Sequence, residues 1–204
     1  MSLRTQLLPE SFCLLQFVSP VPFWNTPEGT LDWLRHFRRL MEPVSFTLAY
    51  AVLPQETQVF IHLRDEHTLF DFFRKEGRFP DENETVQSIQ KLNESLAAQQ
   101  FNVYDKQLGK WLTALLPEAP KKIQVQKESV KEKEEILSHI TRLHLLPVTR
   151  GLCSDASEWK FSSFQAILSE APTAISREQV LDLFGGREAF VRAHEAEPYK
   201  RLSV

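Results

Sequence analysis

The chain of 204 residues is poor in the residues that several kinds of chemistry require. Its two cysteines, Cys13 and Cys153, have neither metal-ligand spacing nor a Cys-x-x-Cys pair. Structural zinc and dithiol redox roles therefore fall away, and reduced thiols in the cytoplasm are expected. Six glycines form no Gly-rich loop that could cradle a phosphate. There is no G-x-S-x-G elbow for a serine nucleophile. No apolar run approaches the ~18 residues of a membrane span, and the first twenty residues lack the long apolar stretch of a signal peptide. The formal net charge of −3 gives no overall attraction to nucleic acid, so any such binding needs a local basic patch.

Large aromatics, in contrast, are plentiful: fifteen Phe and four Trp, most of which must be core. With 42% hydrophobic and 25% charged residues, the composition is that of a globular domain able to bury a core without metal or disulfide staples. Ser11 to Trp24 reads as a strand ending near Pro20 and Pro22. Asn25-Thr26-Pro27-Glu28 is a helix start, and Leu31, Trp33, Leu34, Phe37, Leu40 and Met41 recur at helical spacing. Val44 to Leu53 and Gln58 to Arg64 predict an antiparallel hairpin turning at Pro54 to Thr57. Helices are expected over Glu66 to Lys75 and from Thr85 towards Val103, and a strand over Lys121 to Gln126. The charge run from Lys127 to Glu135 is expected to open a further helix with Ile136, Ile140 and Leu143 on its apolar face. Short helices follow at Glu158 to Leu168, Ser176 to Phe184 and Arg187 to His194. Ser176 and Gln179 are spaced as a capping box, and Gly185-Gly186 is a stop.

The expected fold is α+β: a ferredoxin-like core with a four-stranded antiparallel sheet and helices on one face, plus a C-terminal helical extension. Residues 1–126 would be the core and residues 127–204 the extension packed on it. The histidines offer no metal site by spacing. His139 and His144 point about 140° apart on one helix, and His67 and His194 have no evident partner. Each of the six reads as a surface or satisfied core residue. The acids Asp81, Glu82 and Glu84 read as a solvated turn.

The segment Leu143-His144-Leu145-Leu146-Pro147-Val148-Thr149-Arg150-Gly151-Leu152, followed by Trp159-Lys160-Phe161-Ser162-Ser163-Phe164, is distinctive. It resembles a signature of the transposase-like proteins related to REP-associated tyrosine transposases. Ser176 to Gly186 and the strand Ala49-Tyr50-Ala51-Val52-Leu53-Pro54 extend the resemblance. It implies a bacterial protein with a ferredoxin-like core that cuts single-stranded DNA. In such proteins a His-hydrophobic-His strand holds a divalent metal, and a helix-borne tyrosine attacks the phosphate.

This chain departs from that pattern at those points. Where the family carries M-P-N-H-x-H stands Leu53-Pro54-Gln55-Glu56-Thr57-Gln58. A shifted register places Gln58, Val59 and Phe60 there, or Phe60, Ile61 and His62, with a single imidazole. Ala97 falls at the nucleophile position, and Tyr104 is the one tyrosine nearby.

The expectation is a transposase-like nucleic-acid-binding protein with a regulatory role, catalytically inactive and without metal or cofactor, whose partner is single-stranded or hairpin DNA. Arg35, Arg38, Arg39, Lys121 and Lys122 would hold phosphates, and relatives allow a homodimer. Two alternatives stand beside it. One is an active transposase using His62, Glu56 and Tyr104 with Mg²⁺ or Mn²⁺. The other is a protein-interaction module.

Overall fold

The computed structural model describes residues 12–18, 26–42, 45–64, 124–130 and 132–195. The helices expected between residues 66 and 103, with His67, Asp81, Glu82, Glu84, Ala97, Tyr104, Lys121 and Lys122, lie outside the described residues.

The architecture is α+β, built on strands β1 (Phe12–Val18), β2 (Ser45–Val52), β3 (Glu56–Leu63) and β4 (Gln124–Val130) in the order β2-β3-β1-β4. All three pairings are antiparallel. The hairpin turns more tightly than its sequence predicts, because the Leu53 N–H donates to the Glu56 carbonyl at 2.7 Å and β3 begins at Glu56.

Alternation along the strands sends residues to two different layers. Phe17 and Ile61 belong to one face. Helix α1 (Pro27–Met41) covers it with Trp33, Phe37 and Met41, all buried, and Phe17 meets Trp33 and Phe37 edge-on at 5.8 and 6.3 Å. The sequence signals for α1 hold: the Thr26 side chain accepts from Gly29 N–H, Pro27 opens the helix, and Glu28 sits in its first turn.

Leu14, Glu56, Gln58, Phe60 and His62 belong to the other face, whose apolar cluster is completed by α2 (Lys133–Thr149), α3 (Phe164–Leu168), α4 (Arg177–Phe184) and α5 (Arg187–Glu195). Ile136, Ile140 and Leu143 of α2, Ile167, Val180 and Phe190 are buried there.

The charge run does not open a helix at Lys127. Residues 127–130 continue β4, pairing with β1 as far as Phe12↔Val130, and α2 starts at Lys133. Pairing along the β1 edge outweighs local propensity, and charged side chains suit the outer strand of a sheet.

Helix α2 ends in a Schellman turn. Gly151 N–H reaches the Val148 carbonyl and Leu152 N–H the Pro147 carbonyl, with Gly151 at φ 68°. The helix expected from Glu158 is instead a 3-10 turn (Ala156–Glu158) and a turn-rich stretch with one bridge residue, Ser162, before α3. That stretch borders the open edge of β2: Val52 N–H donates to Phe161 O, Ser163 N–H to Tyr50 O, and the Trp159 indole to Val52 O. Among the described residues no helix is long and apolar enough to cross a membrane.

Candidate functional site

Strand β3 presents Glu56, Gln58, Phe60 and His62 in a row towards the C-terminal helices, since every second residue shares a face. Glu56 is nearly enclosed, its side chain 10% exposed. One carboxylate oxygen accepts from the amides of Gln16 and Gln58, each at 2.7 Å, and the other meets the Arg150 guanidinium at 2.6 Å. Arg150 is delivered there by the turn that ends α2.

These contacts test whether a divalent ion suits the positions that the resemblance assigns to a His-x-His pair. Both carboxylate oxygens are already engaged by hydrogen-bond donors, and a guanidinium beside them repels a dication. The residues present do not fit the metal.

Further along, Phe60 is fully buried with the His139 ring lying parallel over it at 5.8 Å. His62 stacks on Phe12 at 4.3 Å and shares a 2.7 Å hydrogen bond with the Gln179 amide. Burial lowers the His62 pKa, opposed by that hydrogen bond, so the ring is neutral at neutral pH. Glu56 and His62 stand six positions apart on one strand, roughly 20 Å at ~3.3 Å per residue. They are too far apart to ligate one ion. The capping box expected at Ser176 does not form: Ser176 is the N-cap without a side-chain bond, and Gln179 is drawn to His62 instead.

A second cluster was not foreseen from sequence. His144 Nε2 lies 2.7 Å from Ser163 Oγ, His144 Nδ1 lies 2.9 Å from His194 Nε2, and His194 Nδ1 lies 2.7 Å from Phe190 O. One assignment of hydrogens satisfies the chain with both rings neutral. His194 Nδ1–H donates to the carbonyl, His144 Nδ1–H donates to His194, and the Ser163 hydroxyl donates to His144. Ser163 Oγ also accepts the Tyr50 N–H at 2.9 Å.

The connectivity is that of a serine–histidine nucleophile pair with an orienting third group. Burial removes that function. His144 and Ser163 are 0% exposed and His194 5%, and rings of Phe164 and Phe190 pack edge-on against His144. Burial holds the His144 pKa well below its ordinary value, helped by the neighbouring His194. Burial also pushes His194 down to about 4, against the opposing pull of the Phe190 carbonyl and Asp155. The cluster is a polar rivet between α2, α5, the Ser163 turn and the edge of β2.

Its sequence signal was spacing. His144 follows Ile140 by four and His194 follows Phe190 by four, which puts both on buried helical stripes.

Of the predicted phosphate ligands, three lie on the described surface. Arg35 pairs with Asp32 at 2.7 Å and Arg38 with Glu42 at 3.3 Å, all four side chains being more than half exposed. Arg39 is exposed in the last turn of α1.

No family model matches the chain, and no curated protein matches it. A solved structure of a REP-associated tyrosine transposase bound to a REP hairpin is similar with a TM-score of 0.48 at 14% identity, covering 80% of this chain and 84% of that one.

Proposed function

We propose that this chain is a transposase-like protein that binds single-stranded or hairpin DNA without cutting it, on a core of the ferredoxin-like kind. The strand order β2-β3-β1-β4 supports the core assignment. The observation that carries the non-cutting reading is the Glu56–Arg150 pair, with Gln58 and Gln16 on the same carboxylate. Strand cleavage by the route that the resemblance implies needs a cation to polarise the phosphate and neutralise developing charge. Here an arginine neutralises the carboxylate that stands at the first ligand position, so the positive charge is spent within the protein.

Binding itself rests on the resemblance and on the arginines of α1, whose exposed ion pairs are worth under about 1 kcal/mol and exchange readily for phosphate. Anisotropy of a labelled hairpin with a single-stranded flank tests this. Affinity should fall steeply between about 50 and 200 mM salt, as counterion release requires. A protein-interaction module, which the net charge of −3 favours, becomes the better account if no labelled strand binds at low salt.

A further inference from the structure

Three rings meet at the end of the sheet where β2 begins and β3 ends. Phe46 and Phe12 both stand opposite His62 in the strand registers, so the three side chains lie side by side across β2, β3 and β1. Phe12 and His62 are parallel within 4°. Phe46 tilts against His62 at 6.1 Å and remains 36% exposed. The Arg64 guanidinium carbon sits 4.2 Å over the centre of the Phe46 ring.

Arg64 is held there by its Nε–H, which donates to the Glu42 carbonyl at 3.0 Å. Glu42 caps α1, so Arg64 joins Phe46, which stands on the opposite face of the sheet from α1, to the helix end whose last turn carries Arg38 and Arg39. Immediately after Phe46 the strand register shifts between Thr47 and Ala49, a bulge of the kind that re-aims a neighbouring side chain.

We infer that Phe46 and Arg64 form a stacking platform for an unpaired base of single-stranded DNA, with Arg38 and Arg39 taking the adjoining phosphates. This deepens the binding reading above and rests on it. Two physical features select this occupant. A base offers a flat π-face of any sequence to an aromatic ring or a guanidinium plane, and its backbone brings the negative charge that the arginines complement. Duplex DNA hides its base faces and would not use the ring. The Arg38–Glu42 ion pair is exposed, so Arg38 can turn to a phosphate at little cost.

The test is anisotropy of a labelled single-stranded oligothymidine with the full chain and with Phe46→Leu, Arg64→Gln and Arg38→Gln, at several salt concentrations. Phe46→Leu keeps an apolar side chain but removes the π-face. It should weaken binding by roughly ten- to a hundred-fold with the salt slope unchanged. Arg64→Gln should also weaken binding with the salt slope unchanged, since Arg64 stacks and takes no phosphate, whereas Arg38→Gln should lower the slope by about 0.7, the share of one phosphate on a single strand. Circular dichroism checks that each variant folds, and the Arg64→Gln arm stands by itself should Phe46→Leu melt early.

Wild-type binding that neither Phe46→Leu nor Arg64→Gln alters overturns the platform and leaves the binding reading in place. A loss confined to Arg64→Gln, with the salt slope lowered, puts a phosphate there without a base and overturns the stacking assignment. No binding by the wild type removes the broader reading, and the platform with it.

Discussion

The two faces of the sheet are held by different means. Under α1 the packing is apolar and aromatic, with Phe17, Trp33, Phe37 and Ile61 filling the layer. Under the C-terminal helices an equally buried layer carries polar groups: Glu56, His144, Ser163 and His194. Each of these is joined to partners brought from distant parts of the chain. An apolar layer accepts many packings of similar volume, whereas a buried hydrogen-bond chain accepts one. The residues that made the sequence distinctive, His144, Arg150, Trp159, Ser163 and Gln179, are those that fix the C-terminal layer to β2 and β3. In this chain the signature serves architecture.

The contrast is broken most severely at its hub. His144→Ala should cost about 3–5 kcal/mol, since it opens a cavity and strands Ser163 and His194. Urea denaturation measures this, and a double-mutant cycle with Ser163→Ala should return a coupling of about 1 kcal/mol or more. A cost under about 1 kcal/mol would mean that the rivet holds nothing.

Acid separates the faces next. His144 and His194 have folded-state pKa values below the ordinary histidine value, so the unfolded chain binds more protons once pH drops below about 6.5. Their contribution is intact above that pH and is lost as pH falls towards about 4, where His194 titrates. The loss attributable to His194 is on the order of 3 kcal/mol. Stability measured from neutral pH down to about 4.5 should fall for the wild type and fall less for His194→Gln. Parallel profiles would contradict the burial of a neutral imidazole pair.

Smaller changes sharpen the comparison. Arg150→Ala should cost about 1–2 kcal/mol, because Arg150 is half exposed while the Glu56 carboxylate that it leaves is enclosed. On the opposite face the polar rule fails once: the buried Thr57 hydroxyl has no hydrogen-bond partner among the described residues. Thr57→Val should therefore leave stability unchanged or raise it by about 1 kcal/mol, read as a shift in the denaturation midpoint.

How far the sequence could be read follows the same division. The α1 layer was legible because its signals are local: a capping threonine, a proline in the first turn, and aromatics three and four apart. The hairpin was legible for the same reason. The C-terminal layer was less so, because its decisive partners are remote. Gln179 looks like a capping residue until His62, more than a hundred positions earlier, takes its amide. The Lys127 charge run looks like a helix start until β1 claims it as a strand. Glu56 and Gln58 could be seen to depart from a His-x-His pair, but sequence gave no hint that Arg150 would meet them.

The central proposal is that the guanidinium-bound Glu56 carboxylate stands where the resemblance would place a metal ligand for strand cutting. It is tested most directly by incubating the chain with labelled single-stranded hairpin DNA and Mg²⁺ or Mn²⁺, then separating the products on a denaturing gel. The account predicts an intact strand and no protein–DNA adduct under conditions where the same strand is bound. A covalent adduct, or a metal-dependent nick, would contradict it.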